Sequence, residues 1–158
     1  MAPFHVRVTE ADDLPRVAPL FDAYRRFYRK PHDPDLALRT RLADRFYDLY
    51  VHDPMQRIVG DRLRPQDKKD PFGVAAAEAM LANSYDVIDA EMAGRTWATG
   101  DAFTLADCAA APPLFFANKL VPFGERRNLT AYFRRLSRRP SVARAFNEAE
   151  PFLKFFPG

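Results

Sequence analysis

Thr104-Leu105-Ala106-Asp107 stands between a turn, Gly100-Asp101-Ala102-Phe103, and a run of small residues, Cys108-Ala109-Ala110-Ala111. A threonine at the N-cap and an acid three residues on form a capping box, in which each side chain reaches the other residue's backbone N–H. The acid also sits in the positive first turn of the helix macrodipole. Such a cap contributes about 1 kcal/mol, and it fixes where a helix begins: at Leu105. Pro112-Pro113 then falls deep inside that helix, removing the N–H donors that would meet the carbonyls of Cys108 and Ala109. A bend is expected there, and a bend deep in a helix is one way to open a ligand cleft.

The rest of the chain past residue 34 reads as helical. Leu36, Leu38, Leu42, Phe46, Leu49 and Tyr50 set an amphipathic segment that Met55, Ile58, Val59 and Leu63 continue, with Asp53-Pro54 predicting a kink or break. Arg64 to Lys69 reads as a polar loop. Asp70-Pro71 supplies an N-cap and a first-turn proline for a helix whose face is Ala77, Leu81, Tyr85, Ile88 and Met92, with Gly94 at its end. Asn128 is expected to cap a helix facing inward through Leu129, Tyr132, Phe133 and Leu136. Ser141 is expected to cap the last one, with Val142, Ala145, Phe146 and Ala149 inward. The tail Glu150 to Pro157 is apolar and proline-bounded, so it should pack back on the bundle.

The first 34 residues differ. Phe4 to Val8 alternates like a short strand. Leu14, Val17, Leu20, Phe21, Tyr24, Phe27 and Tyr28 fall at helical spacing over 13–29, with Pro19 expected to bend the element. Lys30-Pro31-His32-Asp33-Pro34 is a turn cluster and marks the junction between a leader, 1–34, and a helical domain, 35–158.

Composition narrows the chemistry. One cysteine excludes an internal disulfide framework and a cysteine-rich metal site. Cys108, among alanines, reads as a buried and unreactive thiol. His5, His32 and His52 have no partner at ligand spacing, so no metal is expected. No nucleophile elbow occurs. The clusters Arg25-Arg26 to Arg29-Lys30 and Arg134-Arg135 to Arg138-Arg139 carry interleaved aromatics. Those aromatics lie on the apolar helix stripes and read as core, and the net charge is only +3, so no nucleic-acid partner is expected. No window is apolar enough to span a membrane, and the opening residues have no signal-peptide core, which leads us to expect a cytoplasmic protein.

From about Leu36 to Pro157 the order of motifs resembles the C-terminal helical domain of glutathione transferases. The strings are Leu42 to Tyr50 with Pro54 to Val59, then Thr96 to Asp101 with the Thr104–Asp107 box, then Arg139 to Arg144 with Glu148 to Pro151. The resemblance implies an all-α bundle in which the capped helix is central and buried. In that family a thioredoxin-like domain of about eighty residues holds glutathione and supplies the catalytic residue. The roughly 35 residues before the helical domain are too few for such a unit, so the domain is expected to be missing, no catalytic residue is assigned, and tight glutathione binding is not expected. The leader resembles instead the opening of GNAT-type acetyltransferases, through Val6 to Leu14 and Leu20 to Tyr28, without that fold's glycine-rich pyrophosphate loop.

The family resemblance places any acceptor pocket along the helix of Tyr50, Met55 and Arg57 and near Phe116 and Lys119. It also implies a homodimer through the first two helices of the domain. Three readings follow: a non-catalytic binding or dimerising module with a small hydrophobic ligand, a transferase-like protein whose site a partner completes, and an inactive fusion of two fragments. The leader helix is expected to cover the apolar face that the missing domain would hide.

Overall fold

The computed structural model describes residues 11–13, 15, 16, 19 and 33–157. The chain divides into two units, Met1–Pro34 and Asp35–Gly158. In the first, Ala11–Asp13 form a 3-10 turn, and Pro15, Arg16 and Pro19 are helical. The expected strand at 4–8 and most of the expected helix at 13–29 lie outside the described residues.

The second unit is all-α. Helix α1 spans Pro34–Tyr47, and a π-helical turn, Asp48–His52, leads directly into α2, Asp53–Arg62. Pro54 causes the irregularity expected here, because it has no N–H to give the carbonyl of Tyr50 and its ring crowds that oxygen. The hydroxyl of the buried Ser84 approaches the Tyr50 carbonyl at 2.8 Å from the neighbouring helix. The change of pitch also re-aims the side chains of the turn itself, Leu49, Tyr50 and Val51, whereas Leu38 and Leu42 lie before it. Tyr47, Val51, Met55 and Ile58 are buried, whereas Leu38, Leu42, Leu49 and Tyr50, expected to face the core, are exposed.

Lys69 ends α2 by donating to the carbonyls of Asp61 (2.6 Å) and Arg62 (2.9 Å), a cation placed at a helix C-terminus. Helix α3, Pro71–Met92, starts as the sequence requires, with Asp70 Oδ1 accepting from Gly73 N–H at 2.9 Å. Its buried face includes every residue expected of it: Ala77, Leu81, Tyr85, Ile88 and Met92.

Helix α4, Leu105–Leu120, starts at the capping box and runs unbroken through Pro112-Pro113. Ala106, Ala110, Leu114 and Ala117 on it are fully buried, the small residues letting neighbouring helices approach closely. Cys108 departs from expectation: it is exposed. The buried positions 106, 107, 110, 111, 113, 114 and 117 take one broad face, which leaves Leu105, Cys108 and Pro112 on the outward stripe.

Helices α5, Arg127–Arg138, and α6, Pro140–Ala149, follow. Leu129, Tyr132 and Leu136 of α5 are fully buried, so the aromatic in the second basic cluster is core. The two expected caps are not used. Arg126 and Arg139 hold the N-cap positions without side-chain cap bonds. Asn128 lies inside the first turn and donates to the Asp89 carbonyl at 3.1 Å, while Asp89 Oδ1 accepts from Leu129 N–H at 2.9 Å, capping α5 from α3. A final 3-10 segment, Glu150–Phe155, folds back so that Phe156 meets Phe116 at 5.0 Å and Arg62 donates to the Pro157 carbonyl at 2.8 Å. Among the described residues the one isolated β-bridge joins Trp97 and Gly100, and no helix is long and apolar enough to cross a membrane.

Candidate functional site

The π-helical turn that exposes Leu49 and Tyr50 also shapes the site. Beside it, α1, the C-terminal half of α3 and the loop before α4 enclose a cavity of about 520 Å³, within the usual range for small-molecule sites. Its walls are Leu42, Phe46, Leu49 and Tyr50 on one side and Val87 on the other, with Ala98 and Thr99 from the loop. The rings of Phe46 and Tyr50 stack at 5.4 Å and 28°, so they present a continuous aromatic wall. Arginines stand around it: Arg39, Arg45 and Arg95, with Glu91 as the acid.

Tyr47, nearly fully buried, lines the same space, and a polar pair lies behind it in the core. Tyr132 donates its phenol proton to Asp107 Oδ1 at 2.8 Å, with the Tyr47 phenol nearby. Burial pushes both phenols well above their ordinary range, with the Asp107 carboxylate acting in the same direction.

Asp107 is fully buried, and its other contacts explain how it tolerates this. Oδ1 also accepts from Ala98 N–H at 2.8 Å, and Oδ2 accepts from Thr104 N–H at 2.8 Å. The two-way capping box is in place, and Thr104 Oγ1 lies 3.1 Å from Thr99 Oγ1. One carboxylate therefore joins the cavity-lining loop, the start of α4 and the middle of α5.

The five residues assigned to a ligand pocket separate. Tyr50 lines the cavity. Met55 is buried in the core, and Arg57 is on the surface, paired with Asp53 at 2.8 Å. Phe116 and Lys119 belong to a cluster joining α4 to α6 and the tail. There Phe115 stacks on Phe146 at 4.4 Å, and the Lys119 ammonium lies 4.9 Å from the Phe115 ring centroid. Phe46, Leu49, Val87, Arg39 and Arg95 also line the cavity; Leu49 reads as core until the π-helical turn is known, and the other four are brought together only by how the first helix meets the 71–92 helix. Cys108 is not among the cavity's lining residues, and the described residues hold no cluster of metal-ligating side chains.

With this geometry in hand, comparison with known proteins places the fold. Residues 46–140 match the family model described as glutathione S-transferase, C-terminal domain. No curated protein matches the chain. Among solved structures, a glutathione S-transferase domain-containing protein of Marinobacter aquaeolei VT8 is similar at 18% identity and TM-score 0.62, over 71% of this chain and 58% of that one. A glutathione S-transferase of Methylobacterium radiotolerans JCM 2831, solved in complex with glutathione sulfonate, is similar at 23% identity and TM-score 0.63, over 86% and 65%. One from Actinobacillus pleuropneumoniae gives 18% and 0.61, over 90% and 65%. The chain thus spans less than two thirds of the length of each of these structures.

Proposed function

The chain belongs to the glutathione S-transferase C-terminal domain family, and from that premise we propose that it is a non-catalytic module that binds a small apolar ligand. The observation that carries this reading is the cavity between α1 and α3, walled by Leu42, Phe46, Leu49, Tyr50 and Val87. Filling it removes exposed leucine, valine and tyrosine surface from water at about 25 cal/mol per Å². Behind its base Tyr132 is bonded to Asp107, and burial raises Tyr47 and Tyr132 well above the ordinary phenol range, so neither offers a phenolate near neutral pH. The one thiol lies elsewhere on α4, and a reducing, cytoplasmic setting suits it.

Titration of the full chain with a neutral apolar probe tests the reading. Binding that Val87→Trp abolishes, with the helical spectrum intact, supports it. Turnover of an electrophile with glutathione by the chain alone would overturn the non-catalytic part.

A second reading draws on the exposure of part of the same surface. Leu38, Leu42 and Leu49 of the first helical segments and Val87 of α3 are exposed together, and an apolar set of this kind suits a self-association face. A dimer that Leu38→Lys dissociates in sedimentation would establish it.

A further inference from the structure

Arginine is unevenly distributed along this chain. Its 24 basic and 21 acidic residues nearly balance, yet residues 126–144 hold seven arginines and no acid. Four of the seven are committed within the fold. Arg126 pairs with Asp86 at 2.7 Å, and Arg144 pairs with Glu148 at 2.8 Å. Arg135 donates to the Thr96 carbonyl at 3.1 Å, and the Arg139 guanidinium lies 3.7 Å from the centre of the Phe103 ring. The other three, Arg127, Arg134 and Arg138, are exposed. Among the described residues no carboxylate, carbonyl or ring partners their guanidinium groups.

Spacing puts these three on one face of α5. They recur at i, i+7 and i+11, which a 3.6-residue repeat brings to within about 40° of one another, in a stripe about 16 Å long. Thr130 and Ala131 lie between Arg127 and Arg134, and these four residues line a shallow cavity of about 450 Å³ whose one acid is Glu125. Small side chains between long cations let a partner's backbone come close while the guanidinium groups reach its side chains. None of the three arginines lines the cavity between α1 and α3, so the two surfaces are independent.

The rest of α5 decides which kind of anion fits. Leu129, Tyr132 and Leu136 are fully buried, and Phe133 packs on Phe123 at 5.5 Å. The stripe therefore presents no apolar side chain to enter a lipid interface and no aromatic ring on which a base could stack. It presents cations at helical intervals, and carboxylates along one face of a second helix fall at the same intervals. We infer that the exposed face of α5 docks an acidic helix of a partner protein, whose Asp or Glu side chains meet Arg127, Arg134 and Arg138. Arginine suits the task, because its planar fork takes both oxygens of a carboxylate.

The test titrates the full chain with two labelled alanine-rich peptides of about 20 residues, long enough to be helical. They have the same composition, with glutamates on one face at the intervals of the stripe in one and scattered around the helix in the other. Fluorescence anisotropy reads the binding. The one-faced peptide is expected to bind about tenfold more tightly, about twofold for each exposed ion pair, with the preference shrinking as salt is raised. Arg127→Gln, Arg134→Gln and Arg138→Gln together should erase the preference. Arg57→Gln, Arg64→Gln and Arg144→Gln together remove the same charge from exposed arginines that already have acids, and should leave it intact. Equal binding of the two peptides, or no binding at millimolar concentration, overturns the inference. A preference that survives the first set of changes, or is lost with the second, overturns the assignment to the stripe. Tighter binding of a short oligothymidylate or of phosphatidylserine vesicles, lost with the first set, overturns the choice of a helix as the partner.

Discussion

Ser84 Oγ lies 2.8 Å from the carbonyl oxygen of Tyr50, the acceptor that Pro54 cannot serve. A donor on α3 thus compensates for a proline at the start of α2, and the compensation fixes where the chain changes pitch. The consequence reaches the surface. The π-helical turn Asp48–His52 presents Leu49 and Tyr50 outward and Val51 inward, which gives the cavity one of its walls.

Ser84→Ala should therefore destabilise the bundle by about 1 kcal/mol, the net contribution of an ordinary, partly buried hydrogen bond. The same hydroxyl lies 2.7 Å from the Met80 carbonyl, where an ordinary helix bond is already available, so the loss falls on Tyr50. Urea denaturation measures it, with a lowered midpoint and unchanged slope expected. An unchanged midpoint would show that Tyr50 does not depend on Ser84.

Tyr132 and Asp107 form the second tie. Tyr132→Phe keeps the ring and removes one donor from a fully buried carboxylate, so a cost of about 1–3 kcal/mol is expected. Asp107→Ala strands the Ala98 and Thr104 amides as well and should cost more, about 3 kcal/mol or beyond. Because both changes break the same bond, the double variant should lose less than the two single losses together. Strict additivity would show that the 2.8 Å contact contributes no coupling.

Much of this bundle was legible where one local rule met one periodicity. On α3, an Asp-Pro start and apolar residues at 77, 81, 85, 88 and 92 gave one consistent answer. The capping box at Thr104 and Asp107 was equally plain, but only its local half. That Asp107 also accepts from Ala98 and Tyr132 depends on how α5 crosses α4, which no spacing records. The cap of α5 differs from expectation for a related reason: Asp89 on α3 serves the start of α5, so Asn128 is not needed for it. The cavity was least visible. Its outline depends on the re-aiming of side chains at the π-helical turn, and Pro54 alone signals only that some break occurs.

Exposure of Cys108 has a direct chemical consequence. A thiol on the outward stripe of α4 should react fully with a water-soluble disulfide reagent while the chain is folded, at one equivalent per chain. Reaction only after denaturant is added would place the thiol in the core, as composition alone had suggested. Cys108→Ser should change stability by less than about 0.5 kcal/mol, the usual bound for surface substitutions.

The buried phenols set the alkaline limit. Burial raises Tyr47, Tyr85 and Tyr132 above their ordinary value near 10, so the folded chain holds these protons more tightly than the unfolded chain does. The stabilisation is fully present below the unfolded value and is lost as pH rises beyond it, toward the raised folded values. These groups should leave the unfolding free energy flat from pH 7 to about 9. Above about pH 10 each withheld ionisation removes up to about 1.4 kcal/mol per pH unit, or about 4 kcal/mol per unit for the three. Absorbance at 295 nm should show these phenols ionising together with the loss of helical signal, and Tyr132→Phe should flatten the alkaline slope by about a third. Smooth ionisation of all six tyrosines near pH 10 in a chain that is still helical would mean that Tyr47 and the Tyr132–Asp107 pair are open to water.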